Sequence, residues 1–264
     1  MAFALVSDRI LHYRLDGPQS GAALVFSNSL GSDLRIWDET VSHLPPDLRV
    51  VRYDQRGHGL STAPVLPYTI EELADDLARL LDQLGVAQAV VCGLSVGGMI
   101  AQSIAAARPD LVKGLILCDT AHKIGTRESW QARIDQVSEI GLEPLGDEIV
   151  DRWVTPGFID GHAAEYLGWQ NMLLRTRREG YISTCAALRD ADLISQTREL
   201  RVPTLCLCGS QDQGTTPELM GELTSLIPGA RLEIIDHASH LPCLEQPEVM
   251  ARHISKFIEE KGLV

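Results

Sequence analysis

No stretch of this chain approaches the roughly 18 consecutive apolar residues that a membrane-spanning helix requires, although 45% of its 264 residues are hydrophobic. The first residues, Met1-Ala2-Phe3-Ala4-Leu5-Val6-Ser7-Asp8, carry neither a basic segment nor a long apolar core. No secretory signal is therefore expected, and the expected location is cytoplasmic. Positive charge is scarce: 23 lysines and arginines stand against 36 acidic residues, for a formal charge of −13. That balance argues against nucleic acid as a main partner, because phosphate binding needs a basic surface. An anionic small molecule would need a local cation to offset the general field.

The cysteines are Cys92, Cys118, Cys185, Cys206, Cys208 and Cys243, with no Cys-x-x-Cys among them. Most sit in apolar runs, so buried free thiols are expected, with no metal site and no cofactor. There is no internal repeat and no low-complexity segment. The oligomeric state is left open, a homo-oligomer included.

What is present is a strand–helix rhythm on a scale that suits one sizeable domain, with or without an insertion. Residues 3 to 15 alternate weakly beside an Asp16-Gly17 turn signal and read as a hairpin. Ala22-Ala23-Leu24-Val25-Phe26 reads as a strand covered on both faces. A helix around Ile36 to Leu44 stops at Pro45-Pro46, and a strand covers Leu48 to Tyr53. Tyr68 to Leu84 has helical periodicity, with Thr69 and Glu72 as a capping box. Ala89-Val90-Val91-Cys92 and Leu111 to Cys118 are further strands. This order calls for an α/β fold, a mostly parallel sheet with helices on both faces.

After the sixth strand the rhythm breaks. Residues 122–200 offer helical stretches (Arg127 to Ile140, Gly146 to Trp153, His162 to Thr176, Gly180 to Leu188) and hold Trp130, Trp153 and Trp169, three of the four tryptophans. The rhythm resumes with a strand at Val202 to Gly209, a helix at Pro217 to Leu226, a strand at Arg231 to Asp236 and a helix at Glu248 to Lys261. The expected organisation is a core of residues 1–121 and 201–264, with residues 122–200 as a helical lid over the site.

Gly93-Leu94-Ser95-Val96-Gly97-Gly98 lies between a strand and a helix. Gly-x-Ser-x-Gly in that setting is a nucleophile elbow: the turn exposes the Ser95 hydroxyl and aims helix N-terminal N–H groups at what it attacks. A serine hydroxyl needs a base. His240, in the loop after the last strand, is preferred over His237 because it has the length to reach the elbow. The carboxylate that orients it is expected at Asp212, in Gly209-Ser210-Gln211-Asp212, with Asp119 as the rival. The Val96 and Leu30 N–H groups are the expected oxyanion hole.

These stretches, with Asp54-Gln55-Arg56-Gly57-His58-Gly59-Leu60-Ser61, together resemble the α/β-hydrolase superfamily over nearly the whole chain. Arg56 and His58 read as structural members of their loop. Within the superfamily, Ser27-Asn28-Ser29-Leu30-Gly31-Ser32-Asp33-Leu34-Arg35-Ile36-Trp37, Ser129-Trp130-Gln131-Ala132-Arg133 and Arg152-Trp153-Val154-Thr155-Pro156-Gly157-Phe158 resemble the 3-oxoadipate enol-lactonases of aromatic-compound degradation. Many relatives carry a His-Gly pair where this chain has Asn28-Ser29. The resemblance implies a small anionic enol lactone as substrate. Trp130 and Trp153 would form an apolar wall. Arg133, three residues after Trp130 on one helix face, would hold the carboxylate. Either Ser95 attacks the lactone or His240 activates water directly. The competing readings are a carboxylesterase, perhydrolase or carbon–carbon bond hydrolase with the same triad, and a ligand-binding receptor on a hydrolase scaffold.

Overall fold

The computed structural model describes residues 2–63 and 67–263; Met1 and Val264, at the ends of the expected core, lie outside the described residues. Eight strands form one sheet: β1 (Ala2–Val6), β2 (Arg9–Asp16), β3 (Ala23–Ser27), β4 (Arg49–Tyr53), β5 (Ala89–Leu94), β6 (Val112–Cys118), β7 (Thr204–Gly209) and β8 (Arg231–Ile235). Their spatial order is β1-β2-β4-β3-β5-β6-β7-β8. β1 pairs with β2 and β2 with β4 antiparallel, and all other neighbours are parallel. The helices are α1 (Asp38–Ser42), α2 (Ile70–Gln83), α3 (Val96–Ala107), α4 (Arg127–Ile140), α5 (Gly146–Val150), α6 (Pro156–Gly161), α7 (Ala163–Leu174), α8 (Arg178–Asp190), α9 (Ile194–Arg198), α10 (Pro217–Leu226), α11 (Pro242–Glu245) and α12 (Pro247–Glu260).

Every residue of β3, β4, β5 and β7 is buried, as parallel strands covered by helices on both faces must be. α2 shows how sequence builds the covering layer. Thr69 accepts the Glu72 N–H and Glu72 accepts the Thr69 N–H, a complete capping box. Leu73, Leu77, Leu80 and Leu81 then fall on one stripe, each at most 1% exposed. Burying each of them contributes about 1.5–3 kcal/mol.

Six helices, α4 to α9, stand between β6 and β7. α4 packs along α8, and α5 against α7. Among the described residues no helix is long and apolar enough to cross a membrane. All six cysteines are buried free thiols.

Several elements differ from the sequence reading. The hairpin turns at Ser7-Asp8, where Ser7 has φ 55°, and not at Asp16-Gly17. Gly17 instead ends β2 against Leu48, whose carbonyl oxygen would lie 2.0 Å from any Cβ there. The helix expected from Ile36 begins earlier, as a 3-10 turn over Leu34–Trp37 capped by the Asp33 carboxylate, and continues as α1. α6, α9 and α11 were not anticipated. Each is at most six residues long, too short to establish a helical period.

Candidate active site

β5 ends at Leu94 and α3 begins at Val96, leaving Ser95 between them. Its backbone, φ 58° and ψ −120°, lies where side-chain-bearing residues are rarely found. Neighbours hold it there. The Ser95 N–H donates to the Cys118 carbonyl at 3.0 Å, and the Gly98 N–H donates to the Ser95 carbonyl at 2.9 Å. The Thr120 hydroxyl donates to that same carbonyl at 2.6 Å. A Cβ on Gly93 would lie 2.1 Å from the Gly97 oxygen, and one on Gly97 would lie 2.2 Å from the Ser27 oxygen. The glycines of the motif thus let strand, helix and the loop after β3 close on one another.

Asp212 follows β7, and His240 follows β8. His240 Nδ1 is 2.8 Å from Asp212 Oδ2. An Nδ1–H donating to that carboxylate leaves Nε2 as the basic nitrogen. Both oxygens of the Asp212 carboxylate are engaged: Oδ1 accepts the Gly214 and Thr215 N–H groups at 2.7 and 3.2 Å, and Oδ2 accepts the Thr215 hydroxyl at 2.6 Å. Burial alone would raise this carboxyl. The charge and hydrogen bond of His240, with the bonds from Thr215 and Gly214, outweigh burial and hold it well below the ordinary carboxylate range. Ser95, Asp212 and His240 line one cavity of about 410 Å³. Asp119 makes no hydrogen bond to His240; its Oδ1 accepts the Gly209 N–H at 2.8 Å. His237 has φ 57° and an exposed side chain, and it does not line the cavity.

The loop after β3 forms the opposite rim, with Ser29 and Leu30 lining the cavity. The Ser29 carbonyl accepts the Ser32 N–H and hydroxyl at 3.2 and 2.8 Å. Asn28 faces inward, donating to the Tyr53 carbonyl and accepting from Trp37 Nε1, both at 2.8 Å. The Gly31 N–H donates to His58 Nε2 at 3.0 Å, and His58 Nδ1 lies 3.2 Å from the Arg56 carbonyl. His58 is therefore a neutral imidazole with its proton on Nδ1. Burial lowers its pKa from 6.5 to about 4. Arg56 is buried against Asp76, at 2.7 and 2.8 Å. The Leu30 N–H next to Gly31 has no acceptor among the described residues, and neither does the Val96 N–H, which lies in the first turn of α3.

The inserted helices form the roof. Trp130, Arg133, Ile149 and Trp153 line the cavity. Trp130 Nε1 donates to the Ile124 carbonyl at 2.6 Å, which fixes its ring. Arg133 Nη2 donates to Glu148 Oε1 at 2.9 Å, while Nη1 is buried with no partner among the described residues. Arg152 donates to the same Glu148 oxygen at 2.9 Å. Trp169 lies instead against Phe158, 5.4 Å between ring centroids.

Three contributors escaped the sequence reading. Thr215 bonds Asp212 and lies 3.4 Å from His240 Nδ1; its only signal is a threonine in the Asp212-Gln213-Gly214-Thr215 turn. Tyr181 reaches the cavity from α8. Glu245 ties the roof to the histidine loop: Oε1 accepts the Thr155 N–H and hydroxyl at 2.8 and 2.6 Å, and Oε2 accepts the Ser239 N–H at 2.6 Å.

A serine elbow after β5 of a mostly parallel sheet, facing an Asp–His pair at the carboxyl ends of β7 and β8, defines a hydrolase. The chain belongs to the alpha/beta hydrolase family, whose model matches residues 24–253. It is 39% identical to 3-oxoadipate enol-lactonase 2 of Acinetobacter baylyi over 91% of this chain and 90% of that protein. It is 33% identical to 3-oxoadipate enol-lactonase 1 of the same organism over 95% and 94%. The crystal structure of the enol-lactonase from Burkholderia xenovorans LB400 superposes with a TM-score of 0.95 at 36% identity, covering 98% of this chain and all of that one.

Proposed function

We propose that this hydrolase opens 3-oxoadipate enol-lactone, a small five-membered lactone bearing a free carboxylate, to give 3-oxoadipate. The observation that carries this reading is Arg133. Its Nη1 is buried and has no partner among the described residues, in a side chain that lines the cavity holding Ser95 and His240. Leaving such a donor without an acceptor is costly, and a substrate carboxylate supplies one. Glu148 holds Nη2 at 2.9 Å, which restrains the guanidinium before substrate arrives. Trp130 and Trp153 then flank the ring. The two Acinetobacter enol-lactonases support the same substrate.

Ser95 Oγ attacks the lactone carbonyl as His240 Nε2 takes its proton. The tetrahedral oxyanion accepts the Leu30 and Val96 N–H groups, strengthened by the positive end of α3. Collapse breaks the bond to the ring oxygen, which leaves as an enol protonated by His240 and becomes a ketone. That conversion draws ring opening forward. Water deprotonated by His240 then attacks the acyl-serine ester, and Ser95 leaves with the proton. Asp212 remains ionised throughout and stabilises the imidazolium. The buried free thiols fit a reducing compartment, and we place this reaction in the cytoplasm.

Initial rates on the enol lactone, on p-nitrophenyl acetate and on a ring-fission dienoate test the assignment. The enol lactone is expected to have the highest kcat/KM. Turnover of short neutral esters with none of the lactone would make the protein a carboxylesterase instead.

A further inference from the structure

A second buried carboxyl lies behind Asp212. Asp119 follows β6 with φ 42°, in the left-handed region, and is fully buried. Its Oδ1 accepts the Gly209 N–H, but its Oδ2 has no hydrogen-bond partner among the described residues. The Asp212 carboxyl nevertheless lies within hydrogen-bonding reach. Two acceptors therefore face each other, and the donor within reach of Asp119 is the weak Cys208 thiol. Cys208, which is also near, directs its thiol at the Gly209 and Thr215 carbonyls at 3.4 and 3.5 Å. The titratable groups facing Asp119 are Asp212 and Cys208 from β7 and its loop, Cys118 from β6 and Cys243 from α11. None of them is a cation. His240, which can carry positive charge, is bonded to Asp212.

We propose that Asp119 carries a proton on Oδ2 and donates it to the Asp212 carboxylate, making Asp119 a positioning residue that acts through Asp212. One added proton satisfies the orphaned oxygen and removes the repulsion between two buried anions. Burial first, and the charge of Asp212 second, drive the Asp119 carboxyl far above the ordinary range. Asp212 is driven the other way. Adjacent carboxyls pushed apart in this manner hold one charge between them. The pair then presents a single negative charge to His240, and the Asp119 hydroxyl helps to fix the plane of the carboxylate that orients the imidazole. The inference rests on Asp212 and His240 working as the orienting acid and the base.

Asp119→Asn keeps an acceptor for Gly209 and a donor for Asp212 but cannot ionise. The acidic limb of its kcat/KM pH profile is expected to coincide with that of the wild type. Removing an anion at this distance would instead move the limb down by about one unit or more, and that result would overturn the proposal. Asp119→Leu keeps the bulk and loses the donor. Its kcat is expected to fall roughly tenfold with little change in KM, and Asn in place of Leu should restore it. An unimpaired Leu variant would contradict the positioning role. Infrared spectra of the wild-type protein with 13C-labelled aspartate need no turnover, so they test the proton separately from the catalytic assignment. A protonated-carboxyl band that shifts with the label at neutral pH, and is lost in Asp119→Asn, is expected. Absence of the band, or its persistence in Asp119→Asn, would show that Asp119 does not hold the proton.

Discussion

Arg133 lines the cavity, gives Nη2 to Glu148 and has no partner for Nη1 among the described residues. On the proposed reading, truncating it removes a charge-assisted contact that only an anionic substrate makes. Arg133→Ala is expected to raise KM for the enol lactone roughly 10- to 100-fold. The same variant should change KM for p-nitrophenyl acetate less than about twofold. Equal effects on both would show that Arg133 holds the roof together and not the substrate. His58 has a different task at the same scale. Its neutral ring links the Gly31 N–H to the Arg56 carbonyl, and burial lowers its pKa from 6.5 to about 4. The unfolded chain binds this proton more readily than the folded one. Stability from His58 is therefore fully present above pH 6.5 and is lost as pH falls toward about 4. The loss is about 3 kcal/mol. Urea unfolding of wild type and His58→Gln between these pH values should show a steeper fall for the wild type. Parallel curves would mean that the ring is not held neutral.

At the scale of elements, the segment around Trp153 and the loop around His240 are sewn together. Besides the Glu245 bonds, the Leu241 N–H donates to the Trp153 carbonyl at 2.8 Å and the Ser239 hydroxyl donates to the Arg152 carbonyl at 3.2 Å. The wall of the cavity and His240 within it are therefore positioned as one piece. Glu245→Ala orphans three donors and is expected to cost about 2–4 kcal/mol of stability. It should also lower kcat for lactone and neutral ester alike, because His240 loosens for both. A selective loss on the lactone alone would place Glu245 in substrate recognition. None of this stitching was legible in the chain, since Thr155 and Glu245 are 90 residues apart and a lone glutamate after Pro-Cys-Leu carries no local signal. α4 and α10, by contrast, were legible to the residue. Thr126 and Thr216 cap them, and each is long enough to show its period.

For the whole molecule, the order of strands and helices was readable because the central parallel strands β3, β5, β6 and β7 are largely apolar. The elbow was readable because its glycines are demanded: a Cβ on Gly93 or Gly97 would lie 2.1 or 2.2 Å from a backbone oxygen. Leu30 and Arg133 stood out in the sequence, but their geometry did not: a Leu30 N–H and an Arg133 Nη1 with no partner among the described residues exist only once the loop after β3 and the roof meet. The net charge of −13 gives that meeting a further consequence. An anionic substrate gains little from the general field, so a buried local cation must do the selecting. Everything proposed for the cavity requires Ser95 to be the attacking group. The most direct test is kcat for the enol lactone in Ser95→Ala against wild type, with folding checked by circular dichroism. A loss of roughly 10⁴-fold or more is expected. Turnover that is unchanged, or reduced only a few-fold in a folded variant, would contradict the account, because water activated by His240 alone would then suffice.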